Sequence, residues 1–145
     1  MIKQSLYKKI QEVLPICCVD LVIKNSQGEF LLVKRKNRPA KGQWWVVGGR
    51  VKKGERLEKA VLRKAKEETG LDVVLKKQLG AKETIFRKGP FGKNVHTINI
   101  IFLVKTKGKK KIKLDSQSAD FKWFKKINPI WHSYVKGVLR LAGFK

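Results

Sequence analysis

Acidic residues are scarce in this chain. Asp and Glu total 11 of 145 positions against 35 Lys and Arg, a formal charge of +24 at pH 7. Such a surface attracts polyanions: nucleotides, nucleic acid or anionic lipid. Lysines are spread along the whole chain, a pattern that also fits a plain solvated surface. Cysteine is nearly absent. Cys17 and Cys18 are adjacent in an apolar segment, where strand geometry turns neighbouring side chains to opposite faces. A disulfide scaffold is excluded, and a reducing cytoplasm is the expected compartment. No apolar run approaches the roughly 20 residues of a membrane helix. The first residues, Met1 to Lys9, lack the apolar stretch of a secretory signal. Histidine is scarce too: His96 and His132 are the two in the sequence, and a lone histidine is more often structural.

What remains reads as one domain, residues 1–145, with an apolar fraction of 42% for a single core. Leu6, Ile10, Val13 and Leu14 have helical spacing and stop at Pro15. Residues 16–24 and 30–36 read as a hairpin across the turn Asn25-Ser26-Gln27-Gly28. A short strand over 43–47 ends at Gly48-Gly49, and a helix starts at Leu57 and stops at Gly70. Strands follow at 71–75, 79–87, 96–106 and 121–124. The lysine run 105–113, with Gly108 in its middle, reads as a hairpin tip. A last helix after Pro129 carries Ile130, Tyr134, Val138 and Leu139 on one face. The order is α-β-β-β-α-β-β-β-β-α. This is an α/β (α+β) fold, a mixed β-sheet with helices packed on it.

The few acids are not spread evenly. Glu55, Glu58, Glu67 and Glu68 all fall between residues 48 and 71. Glu67 and Glu68 close a helix, where carboxylates oppose the macrodipole. A hard dication such as Mg²⁺ offsets that cost through carboxylate and carbonyl oxygens. Gly48-Gly49 upstream offers bare backbone for close approach. Ion pairs of Glu67 with Arg63 and of Glu68 with Lys64, each four residues apart, account for the acids as plain helix chemistry. They do not account for Gly-Gly and Glu55 at this spacing.

The segment Gly49-x5-Glu55-x7-Arg63-Lys64-Ala65-Lys66-Glu67-Glu68-Thr69-Gly70-Leu71 resembles the Nudix box, GX5EX7REUXEEXGU, with U a bulky apolar residue. Gly49, Glu55, Arg63, Glu67, Glu68, Gly70 and Leu71 match. The resemblance covers nearly the whole chain and implies a Nudix-type αβα sandwich. The flanks, Val19 to Ile23 and Lys34 to Trp45 among them, are similar to the GDP-mannose mannosyl hydrolase branch. That branch uses one metal ion and cleaves the sugar C–O bond.

The resemblance also implies roles. A Mg²⁺ ion, with Mn²⁺ as the alternative, is held by the carbonyl of Gly48 or Gly49, by Glu68 and Gln117, with Glu67 beside them. Arg35 and Arg50 contact the diphosphate, Arg35 also serving in catalysis. Asp20 lies near base and leaving group, so Asp20, Glu67 and Glu68 are the candidate bases. Glu55 and Arg63 are structural partners. The implied substrate is a nucleotide-sugar or another nucleoside diphosphate derivative, and the implied state is a homodimer. Two positions depart from the pattern. Lys64 replaces a box glutamate, and Ser118 stands where the branch has its histidine base, leaving His96 as a substitute. These losses keep a second expectation open, a catalytically weak Nudix domain that binds nucleotide or RNA.

Overall fold

The computed structural model describes residues 2–145. Helix α1 (Gln4–Val13) leads into β1 (Ile16–Lys24), β2 (Phe30–Arg35), β3 (Trp44–Trp45) and β4 (Val47–Arg50). Helix α2 (Leu57–Thr69) follows, then β5 (Val73–Phe86), β6 (Val95–Thr106), β7 (Ser118–Phe124) and α3 (Ser133–Leu141). The strands form one seven-stranded mixed sheet. Its main path is β3-β2-β1-β6-β5, with β4 paired to β1 and β7 to β2. Strand β1 is central: it runs parallel to β6 and antiparallel to β2 and β4.

Alternation along β1 separates two cores. Val19, Leu21 and Ile23 face Ala60, Val61 and Ala65 of α2. Val22 faces the other way, with Phe30, Leu32, Val135, Val138 and Leu139. The sheet is thus covered by a helix on each side, the expected αβα sandwich. Cys17 is exposed, Cys18 buried, and both are free thiols, as their opposite strand faces require.

Several elements differ from the sequence reading. Gly48 and Gly49 lie inside a strand, not beyond its end, because β1 supplies the partners Asp20 and Val19. The segments 71–75 and 79–87 join into the single strand β5. Its register against β6 shifts at Leu75/Lys77 and at Gln78/Gly80, and such irregularities break the period-2 pattern. Residues 107–117 form no hairpin. They cross the end of α2, where Lys107 N–H donates to the Asp72 carbonyl and Lys113 N–H to that of Thr69. Ile112 and Leu114 pack on the α2-side core. Ile130 precedes α3 and is 86% exposed, so it is not part of that helix's apolar face.

Candidate functional site

Helix α2 ends where the sequence places its acids. Gly70 takes a left-handed φ of 73° and closes the helix. Glu68 is buried and accepts a hydrogen bond from Gly48 N–H at 3.3 Å. The Lys64 ammonium lies 3.2 Å from its other oxygen. Burial still pushes the Glu68 carboxyl up to about 7; Lys64 counters this and Asp115 adds to it. A buried carboxylate in that condition gains from further positive charge.

Glu67 is more exposed and points to two cations. Both its oxygens accept from Arg63, at 3.1 and 3.2 Å, and Lys64 lies 3.4 Å away. The Arg63 fork also holds Glu55 at 2.7 and 2.9 Å and donates to the Arg50 carbonyl. Glu55 is held well down, to about 2, chiefly by that hydrogen bond. Glu55 and Arg63 thus tie the β4–α2 loop to the helix.

Asp20 sits in β1 opposite Gly48. It is buried and accepts a 2.5 Å hydrogen bond from the Tyr134 hydroxyl of α3. Burial raises its pKa to about 6, with Tyr134 and then Arg35 opposing the rise. A Cβ at Gly48 would collide with Asp20 Oδ1 and stand 2.5 Å from the Val19 carbonyl. Only glycine fits there, and its bare backbone brings Asp20 and Glu68 to one residue from opposite sides. Arg35 is near enough to Glu68 and Asp20 to be coupled to both, and its Nε donates to the Pro39 carbonyl at 2.6 Å.

The other sequence candidates are placed as follows. Arg50 stacks over the Tyr7 ring of α1 at 4.0 Å. Gln117 accepts from Asn37 at 2.9 Å, and its carbonyl accepts from Lys36 N–H, which ties its loop to the strand end carrying Arg35. Ser118 is buried and opposite Arg35. His96 bonds Glu83 at 2.7 Å. It lies five residues along β6 from Ile101, the partner of Asp20, about 16 Å of strand. His132 caps α3 by accepting from Tyr134 N–H. Sequence reasoning missed Tyr134 and Asp115. Asp115 lay within the Gln117 loop as a clue; Tyr134 read only as a core residue.

Among the described residues no three His, Cys, Asp or Glu side chains converge as a metal cluster. Glu68 and the Gly48-Gly49 backbone carry oxygen donors of the kind a hard divalent cation takes; Glu68 already meets Lys64 and Gly48 N–H, and the Gln117 side chain accepts from Asn37.

The family model described as NUDIX domain matches residues 17–127. The chain belongs to the Nudix family. Among Nudix relatives it is 35% identical over 127 residues to the low-salt glycan biosynthesis protein Agl8 of Haloferax volcanii, covering 86% of this chain and 80% of that one. It is 40% identical over 108 residues to an ADP-ribose pyrophosphatase of Methanocaldococcus jannaschii, covering 74% and 61%. A solved MutT protein from Methanosarcina mazei superposes with a TM-score of 0.70 at 25% identity, over 89% and 94% of the two chains. The chain is a Nudix hydrolase whose class of substrate is nucleoside diphosphate derivatives. Nudix hydrolases generally use divalent metals. No helix among the described residues is long and apolar enough to cross a membrane.

In this Nudix site Tyr134→Phe removes the only hydroxyl donated to Asp20 among the described residues. It is expected to lower stability by about 1–3 kcal/mol and move the Asp20 pKa further above about 6. Thermal melts and NMR titration of the Asp20 carboxyl check both.

Proposed function

We propose that the protein hydrolyses a GDP-sugar, with GDP-mannose as the preferred substrate. The observation that carries the reading is the pair of buried carboxyls, Asp20 and Glu68, meeting at Gly48 beside Arg35. The flanking resemblance and the glycan-biosynthesis relative support a nucleotide-sugar. Lys64 in place of the box glutamate favours cleavage at the sugar C–O bond over the phosphoanhydride.

Glu68, the carbonyl of Gly48 or Gly49, and Gln117 would hold one Mg²⁺ or Mn²⁺. When bound, that ion neutralises the diphosphate and stabilises the leaving group. Arg35 and Arg50 bind diphosphate oxygens with planar, permanently charged donors. Asp20 takes the proton of the attacking water; its raised pKa suits proton transfer near neutrality. The bond from sugar carbon to phosphate oxygen then breaks and GDP leaves. Ser118 takes no part as a base.

The test is incubation with GDP-mannose, ADP-ribose and 8-oxo-dGDP, in Mg²⁺ and in EDTA, with products read by phosphorus and proton NMR. The expected result is Mg²⁺-dependent release of GDP and free mannose. GMP with mannose 1-phosphate would move cleavage to the phosphoanhydride. Turnover of ADP-ribose or 8-oxo-dGDP alone would overturn the GDP-sugar assignment. Turnover of none, in protein that still binds nucleotide or RNA, would make this a binding domain whose +24 charge serves a polyanion.

A further inference from the structure

We propose that α1 docks on an anionic lipid surface, lying in the plane of the headgroups. Among the described residues, α1 is the one helix with no buried side chain. Leu6 and Val13 are seven residues apart, about two helical turns, and so share a face. Ile2, four residues before Leu6, extends the stripe. Leu6 is 53% exposed, Val13 74% and Ile2 44%. The helix that carries them is nevertheless fixed to the body of the fold. Tyr7, about 100° round the helix from Leu6, stacks on Arg50 at 4.0 Å and meets the Phe91 ring edge-on at 6.0 Å. Glu12 pairs with Lys93 at 3.0 Å. These contacts hold α1 against the turn 87–94 and leave the stripe uncovered. A surface that is already ordered loses little conformational entropy on docking.

Charge around the stripe selects its partner. Lys3, Lys8 and Lys9 of the helical segment and Arg87, Lys88 and Lys93 of the turn are all exposed. Over residues 2–15 and 87–94 the only acid is Glu12, and Lys93 already pairs with it. An apolar stripe edged by lysines suits the boundary between headgroups and acyl chains, where lysine stems reach back to the phosphates. With ten residues, about 15 Å, α1 is too short to span a bilayer and lies along it. A second copy is a poor cover, since two chains of +24 would bring the same basic surface face to face. A nucleic-acid backbone would pair with the lysines but leave Ile2, Leu6 and Val13 in water.

The test is flotation of the full chain with lipid vesicles, without nucleotide or metal, so its result is independent of what the site hydrolyses. The probes are phosphatidylcholine alone and phosphatidylcholine with an equal part of phosphatidylglycerol. Wild type is expected to float with the mixed vesicles and not with phosphatidylcholine alone. Raising salt from about 0.1 M to about 1 M shortens the Debye length from about 10 Å to about 3 Å and is expected to weaken binding. Leu6→Gln combined with Val13→Gln keeps every charge and is expected to weaken partitioning about 10-fold or more, through the apolar area lost. Both positions are exposed, so an unchanged thermal melt is expected. Wild type that stays with neither vesicle would overturn the proposal, and that arm needs no variant. Equal flotation of the double variant would overturn it too, because net charge alone would then hold the protein. Sedimentation as a dimer that the double variant dissolves, without vesicle binding, would give the stripe to a second copy and overturn it as well.

Discussion

Glu68→Gln is expected to lose about 10²–10³-fold in turnover of a GDP-sugar, on the scale of removing one preorganised electrostatic group from an active site. It is expected to melt no lower than wild type at pH 8. The two outcomes have one origin. Glu68 is buried, and its folded pKa of about 7 lies above the ordinary 4.5. Between those values the folded protein holds more protons than the unfolded chain, so stability falls as pH rises from about 4.5 to about 7 and is flat beyond. The ionised carboxylate is kept at a cost of up to about 3 kcal/mol at pH 8. Gln keeps the shape and an oxygen for Gly48 N–H but carries no charge. Melting curves from pH 5 to 8 in EDTA check the sign, and phosphorus NMR checks the rate. Loss of folding together with activity would make Glu68 a structural residue and remove it from the site.

Arg63→Ala has the largest expected effect on stability, about 2–3 kcal/mol, in the range of breaking a part-buried charge network. One guanidinium joins Glu55, Glu67 and the Arg50 carbonyl, and charge-assisted forks of this kind exceed ordinary surface pairs. The loss leaves Glu55 without the partner that holds its carboxyl near 2. Glu55 thus stabilises the fold above about pH 4.5, and that contribution fades as pH falls toward 2. In Arg63→Ala the pH dependence below 4.5 is expected to flatten. Urea melts at pH 7 and pH 3 read both effects; equal losses at the two pH values would overturn the assignment.

The acid-rich helix, its glycine stop and the central strands were legible because each is a local pattern. Ala60, Val61 and Ala65 recur at helical spacing and do form the buried face of α2. Gly48-Gly49 was misread as a strand end because glycine is a poor strand former alone. Its partners are Asp20 and Val19, nearly thirty residues earlier, and no local rule supplies them. The lysine run misled for a similar reason. Gly108 does take a positive φ of 75°, yet Ile112 and Leu114 beyond it are drawn onto the core. At the candidate site the residue types were readable, but their pairings were not. Lys64 stood out as a lost ligand; its seat between two carboxylates depends on where Gly49 lies. Tyr134 meets Asp20 across 114 positions of chain, a contact that periodicity does not encode.

The parallel pairing of β1 with β6 has a consequence for how the molecule is made. Ile16 to Lys24 find these partners only at Thr97 to Lys105, so a chain emerging from the ribosome carries its central strand half-paired for some eighty residues. Closing a loop of that length before its contacts form slows folding. Asp20 waits longer still, since its hydroxyl partner is Tyr134. Nascent chains stalled before residue 95 are therefore expected to be readily cut by protease, and those released after α3 to be resistant. The contact of Asp20 with Tyr134 at the candidate site is thus completed only once α3 has been made.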